Sequence, residues 1–423
     1  MGIERVRLSL FERWMLFVTL LFMFSEVFMG VLRHYLSNIG LAPLVYLPKM
    51  LVFLTLLVWV GANIWRGRIS KLYSGTLLFI GFFALIGLFY TEGALQVAFG
   101  IYTLGPFLLG LLALPVLLKV RFKLKPYVMV LWLLAVAGVL LDLFYDLPWA
   151  GAEYELGEIS MEASRAWTTG GFERLAGFSR LSFNVSIQIL LLGLFLVTME
   201  GSHWYRVLLI WLITGAAIIL TTSKSATGVY LILTFFFASR TLLPYNKFGF
   251  SLIVLTIIIG IMLPISSLMI SYQFNTKDLW SEIFFASFGL RLMFIWPAGF
   301  DLIANYGSLW FGRGIGGISA AQKYFEPFLY HPSDNFYLYL YVTMGLGMFI
   351  FVAAYIIGAS RLNLKDNPVD VFFFTVIWSF FMVGSMLNVM EMSIFPFVAG
   401  LSLRYVFLIR RDNTTYSPAM VYS

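Results

Sequence analysis

The chain has 423 residues, 61% hydrophobic and 12% charged, with a mean hydropathy of +0.89. A soluble domain carries about 25% charged residues, so this balance excludes an ordinary globular protein and indicates an all-α polytopic membrane protein. The absence of cysteine excludes disulfides and thiolate chemistry, and a net charge of +7 in such a chain reflects inner-face cations and anionic lipid rather than nucleic acid.

Twelve spans are predicted, at 12–32, 44–65, 74–90, 95–118, 126–145, 181–197, 205–220, 226–239, 248–270, 335–358, 371–387 and 392–409. Most lie near the ~20 residues that a bilayer requires. No small-residue cleavage site follows the first, which reads as a retained anchor. With the N-terminus cytoplasmic, the inner segments hold 17 Lys and Arg and the outer segments nine. That bias favours both termini inside. A short polar tail at 412–423 follows the last span, and the whole of 1–423 reads as one integral membrane domain.

Glu26 and Lys49 fall at similar depth on adjacent spans, which predicts a structural ion pair. The run KVRFKLK at 119–125 predicts an inner-face anchor between the fourth and fifth spans. The first large outer loop, 146–180, clusters acids from Asp146 to Glu173 and ends with Arg174 and Arg180 beside the membrane. TTSKSATG, between the seventh and eighth spans, is too polar for lipid and predicts a broken-helix junction on the outer side. The second large outer loop, 271–334, carries amphipathic stretches and the glycine-rich FGRGIGG at 311–317, predicted as a flexible turn, and amphipathic helices are expected in both large loops. It lacks the strand before and the Lys-Ser/Thr after that a nucleotide-binding loop requires.

By this topology Arg174, Arg180, Lys224 and Arg291 converge on one membrane face. Such a cluster suits a phosphate or pyrophosphate on a lipid carrier, because guanidinium grips phosphate oxygens in pairs and fixed cations stabilise a departing pyrophosphate. The alternative is that these cations snorkel to lipid headgroups or pair with the acids of 153–162. His331 can take a proton from a sugar hydroxyl, or it can simply brace the turn before Asn335. Asp334 is the alternative base. Ser333 and Asp334 suit a helix N-cap, with Asn335 in the first turn. The three histidines are far apart and no HExxH spacing is present, so neither a metal site nor a cofactor is expected. With cations in the place of a divalent metal, the chemistry is expected to be metal-independent.

Five segments together carry a resemblance: ERLAGFSRLSFN, TTSKSATG, Arg291 followed by Trp296, FGRGIGG, and HPSDNFYLYLYVTMGLG. Their order and topology, from about 174 to 347, resemble the O-antigen polymerase and ligase superfamily, which comprises Wzy-type polymerases and their lipopolysaccharide ligase relatives. The resemblance implies a GT-C-type membrane glycosyltransferase that acts on undecaprenyl-pyrophosphate-linked oligosaccharides at the outer face of the bacterial inner membrane. A chain-length regulator and a flippase would be its partners, besides membrane lipids. It implies pyrophosphate contacts at Arg174 and Arg291, the large-loop histidine at His331, and a helix-entry motif at Asn335 and Gly345. Relatives carry arginine where this chain has Lys224, which keeps the charge and loses the bidentate fork. Pro332, Ser333 and Asp334 follow the histidine where ligases tend to place Asn, Ser or Gln, and this favours polymerase over ligase. A lipid-sugar transporter and a scaffold of an export complex stay open; a transporter would carry repeats and midplane polar groups, whereas the polar residues here concentrate in outer loops.

Overall fold

The computed structural model describes residues 7–67, 71–156, 159–169, 172–200, 203–239, 245–269, 287–365, 367–392 and 394–408. The tail at 412–423 and the first part of the second large loop, 271–286, lie outside the described residues. The described chain is dominated by helices. Seven are long and apolar enough to cross a membrane, or nine when each of two bent pairs counts as one span. The protein is therefore a multi-pass, helical membrane protein.

The first bent pair is α1 (Leu10–Val27) and α2 (Met29–Asn38), which meet at 84°. Ser9 caps α1 in a reciprocal box with Glu12. Next come α3 (Leu47–Trp65), α4 (Lys71–Tyr90), α5 (Ala94–Thr103) and α6 (Gly105–Phe144). The break expected at 119–125 is absent: α6 is one helical run through Pro115 and Pro126. The apolar stretches on either side of its cations still count as separate crossing lengths.

Beyond the first loop lie α7 (Ser182–Met199), α8 (Trp204–Leu220), α9 (Lys224–Ala238) and α10 (Tyr245–Met269). The predicted junction at TTSKSATG is the turn between α8 and α9, where Thr222 has φ +55°. Ser287–Tyr306 (α11) was expected in the second outer loop, yet it is a helix of crossing length, with a mean hydropathy of 1.2. It is followed by α12 (Ala320–Phe325), α13 (Phe336–Met344), α14 (Met348–Ala359), α15 (Pro368–Gly384) and α16 (Phe395–Leu408). Twelve spans is a finer count than these helices carry, since α8, α9, α15 and α16 have 17, 15, 17 and 14 residues.

The core lies along α6, α7, α15 and α16, which bury apolar side chains around much of their circumference. Two glycines let α6 and α16 cross with backbones in contact. A Cβ on Gly110 would lie 2.0 Å from the Phe397 carbonyl oxygen, and one on Gly400 would lie 2.0 Å from that of Phe107. Between membrane helices such close approach replaces the hydrophobic effect as the source of association.

The first large loop departs from expectation. Instead of amphipathic helices it holds two antiparallel strand pairs, β1 (Glu153–Leu156) with β2 (Ile159–Glu162) and β3 (Thr168–Thr169) with β4 (Phe172–Glu173). Tyr154 pairs across from Met161 and is buried in a small cluster with Trp149 and Ala163. The loop is tied down at its base. Asp142 accepts from the backbone N–H groups of Ala176 and Gly177 at 2.7 and 2.8 Å, and Trp149 Nε1 donates to the Gly177 carbonyl at 2.7 Å. Phe178 then stacks on Phe28 at the α1–α2 bend, 5.3 Å between ring centres.

FGRGIGG is not a loose turn. Arg313 is 1% exposed; it donates to the carbonyls of Tyr306 (3.0 Å), Gly317 (2.7 Å) and Tyr90 (2.9 Å) and pairs with buried Glu326 at 3.1 Å. Gly314, at φ +80°, sits so close to α4 that a Cβ there would lie 2.0 Å from the Gly87 nitrogen. The segment locks the second large loop onto α4.

Candidate functional site

A cavity of about 1280 Å³ opens among the loop of 146–180, the α8–α9 turn, α11 and the segment before α13. Arg174, Lys224, Arg291 and Asp334 all line it. Each is placed by a different device. Arg174 follows the second strand pair and lies 4.5 Å over the Trp167 ring, while Arg165 lies 4.4 Å from the same ring. Lys224 is the first residue of α9. Arg291 opens a π-helical turn, Arg291–Ile295, an irregularity frequent at functional sites.

These cations repel one another and are short of counter-ions. Burial, then Arg291, then Arg165 push the Arg174 guanidinium below its usual range. Lys224 feels the charges of both Arg174 and Arg291. The Nε atoms of Arg174 and Arg291 are buried without a hydrogen-bond partner. Among the described residues, the cluster's one carboxylate contact is Asp334, whose Oδ2 lies 3.3 Å from Arg291 Nη2. Cations gathered away from bulk water with unsatisfied donors make a site that an anion completes.

Asp334 is held in a conformation that L-residues rarely adopt. Ser333 and Asp334 have φ +55° and +39°, at a cost of roughly 1–3 kcal/mol each. His331 braces this kink. Its Nδ1 accepts from the Ser333 N–H at 3.1 Å, which puts the ring proton on Nε2, where it is donated to the Ile295 carbonyl at 2.5 Å. The ring is 6% exposed and does not line the cavity. Both nitrogens are engaged, so the predicted histidine base has no lone pair free for a substrate. Burial holds its pKa below the usual histidine range, so it stays neutral. Asp334 does face the cavity, and burial raises its carboxyl despite the opposing pull of Arg291 and His331.

Asn335 also lies outside the cavity lining. Its Oδ1 caps α13 by accepting from Leu338 N–H at 2.9 Å, and its Nδ2 donates to the carbonyls of Gly260 and Ser385 at 3.2 and 2.9 Å. It ties α10, α13 and α15 together. Arg180 lines the same cavity, and its carbonyl accepts from the Arg165 N–H at 2.9 Å. Burial lowers its guanidinium first, and Arg33 is the next cause.

Several cavity residues escaped the sequence reading. Trp167 carried a signal in its spacing from Arg165 and Arg174, since both guanidinium groups use its ring. Glu391 carried none, as a lone acid between the last two helices. Its Oε2 accepts from Ser319 Oγ at 2.8 Å and its Oε1 from the Ala320 N–H at 3.2 Å. Its remaining surface faces the cavity, and enclosure by protein raises its carboxyl. The pairing of Glu26 with Lys49 was expected and is present at 2.9 Å, on the cavity wall.

The cavity also has an apolar part. Gly228, Val229 and Ile232 on α9, Leu252, Leu255 and Ile259 on α10, and Trp378 and Met382 on α15 all line it. The three- and four-residue spacing puts each set on one helix face. Ile232, Leu255 and Ile259 are 45%, 52% and 49% exposed, so this part opens toward the surrounding lipid. The site thus joins a cationic chamber to an apolar groove. Among the described residues, no group of three His, Cys, Asp or Glu side chains converges as a metal site. The chain matches no family model, no curated protein and no solved structure.

Proposed function

We propose that the protein is a bacterial glycosyltransferase that joins undecaprenyl-pyrophosphate-linked repeat units into a polysaccharide, an O-antigen or exopolysaccharide, at the outer face of the inner membrane. The observation that carries this reading is the union of an anion-deficient cluster, Arg174, Lys224 and Arg291, with an apolar groove between α9 and α10. A lipid pyrophosphate has one polar end and one very long apolar end, and the two halves of the site suit the two ends. The sequence resemblance points to the same substrate.

In the reaction the acceptor sugar hydroxyl attacks the anomeric carbon of the donor. Asp334, facing the cavity, takes the hydroxyl proton as the new glycosidic C–O bond forms. The bond from the anomeric carbon to the pyrophosphate oxygen breaks, and the pyrophosphate leaves on its lipid with the bonding pair. Arg174, Lys224 and Arg291 stabilise that charge in a chamber where fixed cations act more strongly than in water. Arg291 does double work, since its contact with Asp334 pulls that carboxyl down while its Nε is left without a partner. His331 acts through the backbone of Ser333 as a positioning residue rather than as the base. Aromatic walls at Tyr330 and Trp167 suit sugar rings.

The test is turnover by the purified protein in nanodiscs supplied only with undecaprenyl-pyrophosphate-linked repeat units. A ladder of longer lipid-linked glycans, lost in Arg291→Ala and in Asp334→Asn, is expected. Transfer only after lipid A–core is added would make the protein a ligase. Binding with no transfer to either acceptor would make it a lipid-sugar transporter and end the transferase reading.

A further inference from the structure

Glu391 faces the cavity as an acid that the transfer described above does not use. It ends the short 3-10 turn Val389–Glu391 between α15 and α16. Lys49, Arg174, Lys224 and Arg291 line the same chamber, yet among the described residues no cation lies within ion-pair distance of its carboxylate. Neutral donors orient it instead. Asn388 Oδ1 accepts from the Met390 N–H at 3.2 Å, so Asn388 Nδ2 is the atom that donates to Ser319 Oγ, 3.3 Å away. The Ser319 hydroxyl then sends its one proton onward, to Glu391 Oε2 at 2.8 Å. The Ala320 N–H donates to Oε1 at 3.2 Å.

Ser319 is held in a strained conformation to make this contact. Its φ is +68°, where L-residues rarely sit, and it is 5% exposed. Its N–H donates to the His331 carbonyl at 3.2 Å, and its carbonyl accepts from the Lys323 N–H at 3.0 Å. The bond to His331 sets the Glu391 assembly beside the segment that carries Asp334. Tyr330, the residue before His331, also lines the cavity and is 42% exposed. An ionised carboxylate offers about four lone-pair sites. Ser319 and Ala320 take one on each oxygen, and Glu391 is exposed to the cavity, so one on each oxygen is left for a ligand. Two acceptors side by side match the donors of a sugar's vicinal hydroxyls, and a tyrosine ring nearby matches the apolar face of a pyranose. Capping α12 alone does not account for the acid. A neutral side chain would satisfy the Ala320 N–H as well, and a carboxylate in an enclosed chamber without a counter-ion is the less stable choice.

We propose that Glu391, oriented by Ser319, seats two hydroxyls of the donor sugar and so selects a neutral sugar over an acidic one. This rests on the transferase reading and deepens it by naming the class of sugar. Hydroxyls that donate to the carboxylate make charge-assisted bonds. A uronic acid placed there would bring a second carboxylate against the first and be repelled. Glu391 is a binding residue: it fixes the ring while Asp334 and the cations act.

The full-length protein in nanodiscs, titrated calorimetrically with farnesyl pyrophosphate and with its glucosyl, galactosyl and glucuronosyl esters, tests this. Glu391→Gln keeps both protein contacts, because the Ser319 hydroxyl can accept as well as donate. It should weaken the tighter of the two neutral glycosyl lipids by about tenfold and leave farnesyl pyrophosphate within about twofold. The wild type should prefer that neutral lipid to the glucuronosyl one, and the variant should narrow the preference. If Glu391→Gln does not fold, Ser319→Ala carries the test, since it removes a donor that orients the carboxylate and should weaken the same lipid selectively. Equal effects of the variant on the bare and the glycosyl lipids would overturn the sugar seat and leave the transferase reading intact. A wild type that binds the glucuronosyl lipid as tightly as the neutral ones would likewise overturn it. No binding of any of the four lipids by the folded wild type would end both readings.

Discussion

Arg313 separates the two ways in which this chain uses a buried arginine. Among the described residues the Arg174 and Arg180 side chains have no hydrogen-bond acceptor, whereas Arg313 has four, the carbonyls of Tyr306, Gly317 and Tyr90 and the Glu326 carboxylate. In Arg313→Met the apolar stem survives and every donor goes. Breaking a buried ion pair from one side costs about 3–5 kcal/mol, because the remaining charge is left uncompensated; Glu326 is 5% exposed and has no other ion-pair partner among the described residues. Each carbonyl left without a donor adds up to about 1–3 kcal/mol where water cannot reach it. A loss of at least ~4 kcal/mol is expected, which at roughly 2–4 °C per kcal/mol for a large domain lowers Tm by about 10 °C. Adding Glu326→Gln should restore part of that loss, since it removes the orphaned charge, but not the part due to the carbonyls. The assay is label-free thermal unfolding of the purified protein in one detergent, with Arg180→Gln as a control that should stay within ~2 °C of wild type. A Tm for Arg313→Met within ~2 °C of wild type would refute the reasoning and return FGRGIGG to a loose turn.

The base and its brace separate by pH. Burial raises the Asp334 carboxyl, and the carboxylate is the active form, so the wild-type rate should climb as pH rises through its range and fall away below it. Asp334→Asn should lose that acid limb along with at least ~100-fold in rate. His331→Asn should lose rate and keep the limb; a limb that vanished with the histidine would make His331 the base. At Gly314, alanine would be both strained at φ +80° and in collision with Gly87, so Gly314→Ala should cost more than ~1 kcal/mol in thermal unfolding. An unshifted Tm there would mean that the loop can lift from α4. Lys224→Gln should weaken farnesyl pyrophosphate binding by about tenfold, and Lys224→Arg should restore it through the bidentate fork. Equal affinity in all three proteins would remove Lys224 from the site.

Much of the architecture was legible before any coordinates. Helices occupy nearly every stretch where apolar length predicted one, because lipid forces each backbone to satisfy itself locally. The Glu26–Lys49 pair was legible for the same reason, since a charge at that depth has few alternatives to a neighbour. The fusion of two expected spans into α6 was not legible: 119–125 reads as a loop by charge, while its Lys, Arg, Leu, Val and Phe residues all tolerate a helix. Nor was the first large loop, whose strand pairs depend on docking Tyr154 and Phe178 against the α1–α2 bend.

Residue type and topology selected Arg174, Arg180, Lys224 and Arg291, with Asp334 as an alternative base, because a cation or carboxylate next to a membrane is expensive enough to stand out. They could not say which polar groups are already satisfied. His331 and Asn335 have the same character in sequence as catalytic residues, and only packing shows their polar atoms spent on the Ser333 N–H and the carbonyls of Ile295, Gly260 and Ser385. Arg313 and Arg33 are equally alike as letters; one is saturated by carbonyls from three segments and the other is left with a free Nε. Local chemistry is written along the chain, whereas hydrogen-bond saturation depends on atoms distant in sequence, so the sequence determined the membrane fold and most of the charged candidates, and the tertiary structure decided which of them remain free to meet a ligand.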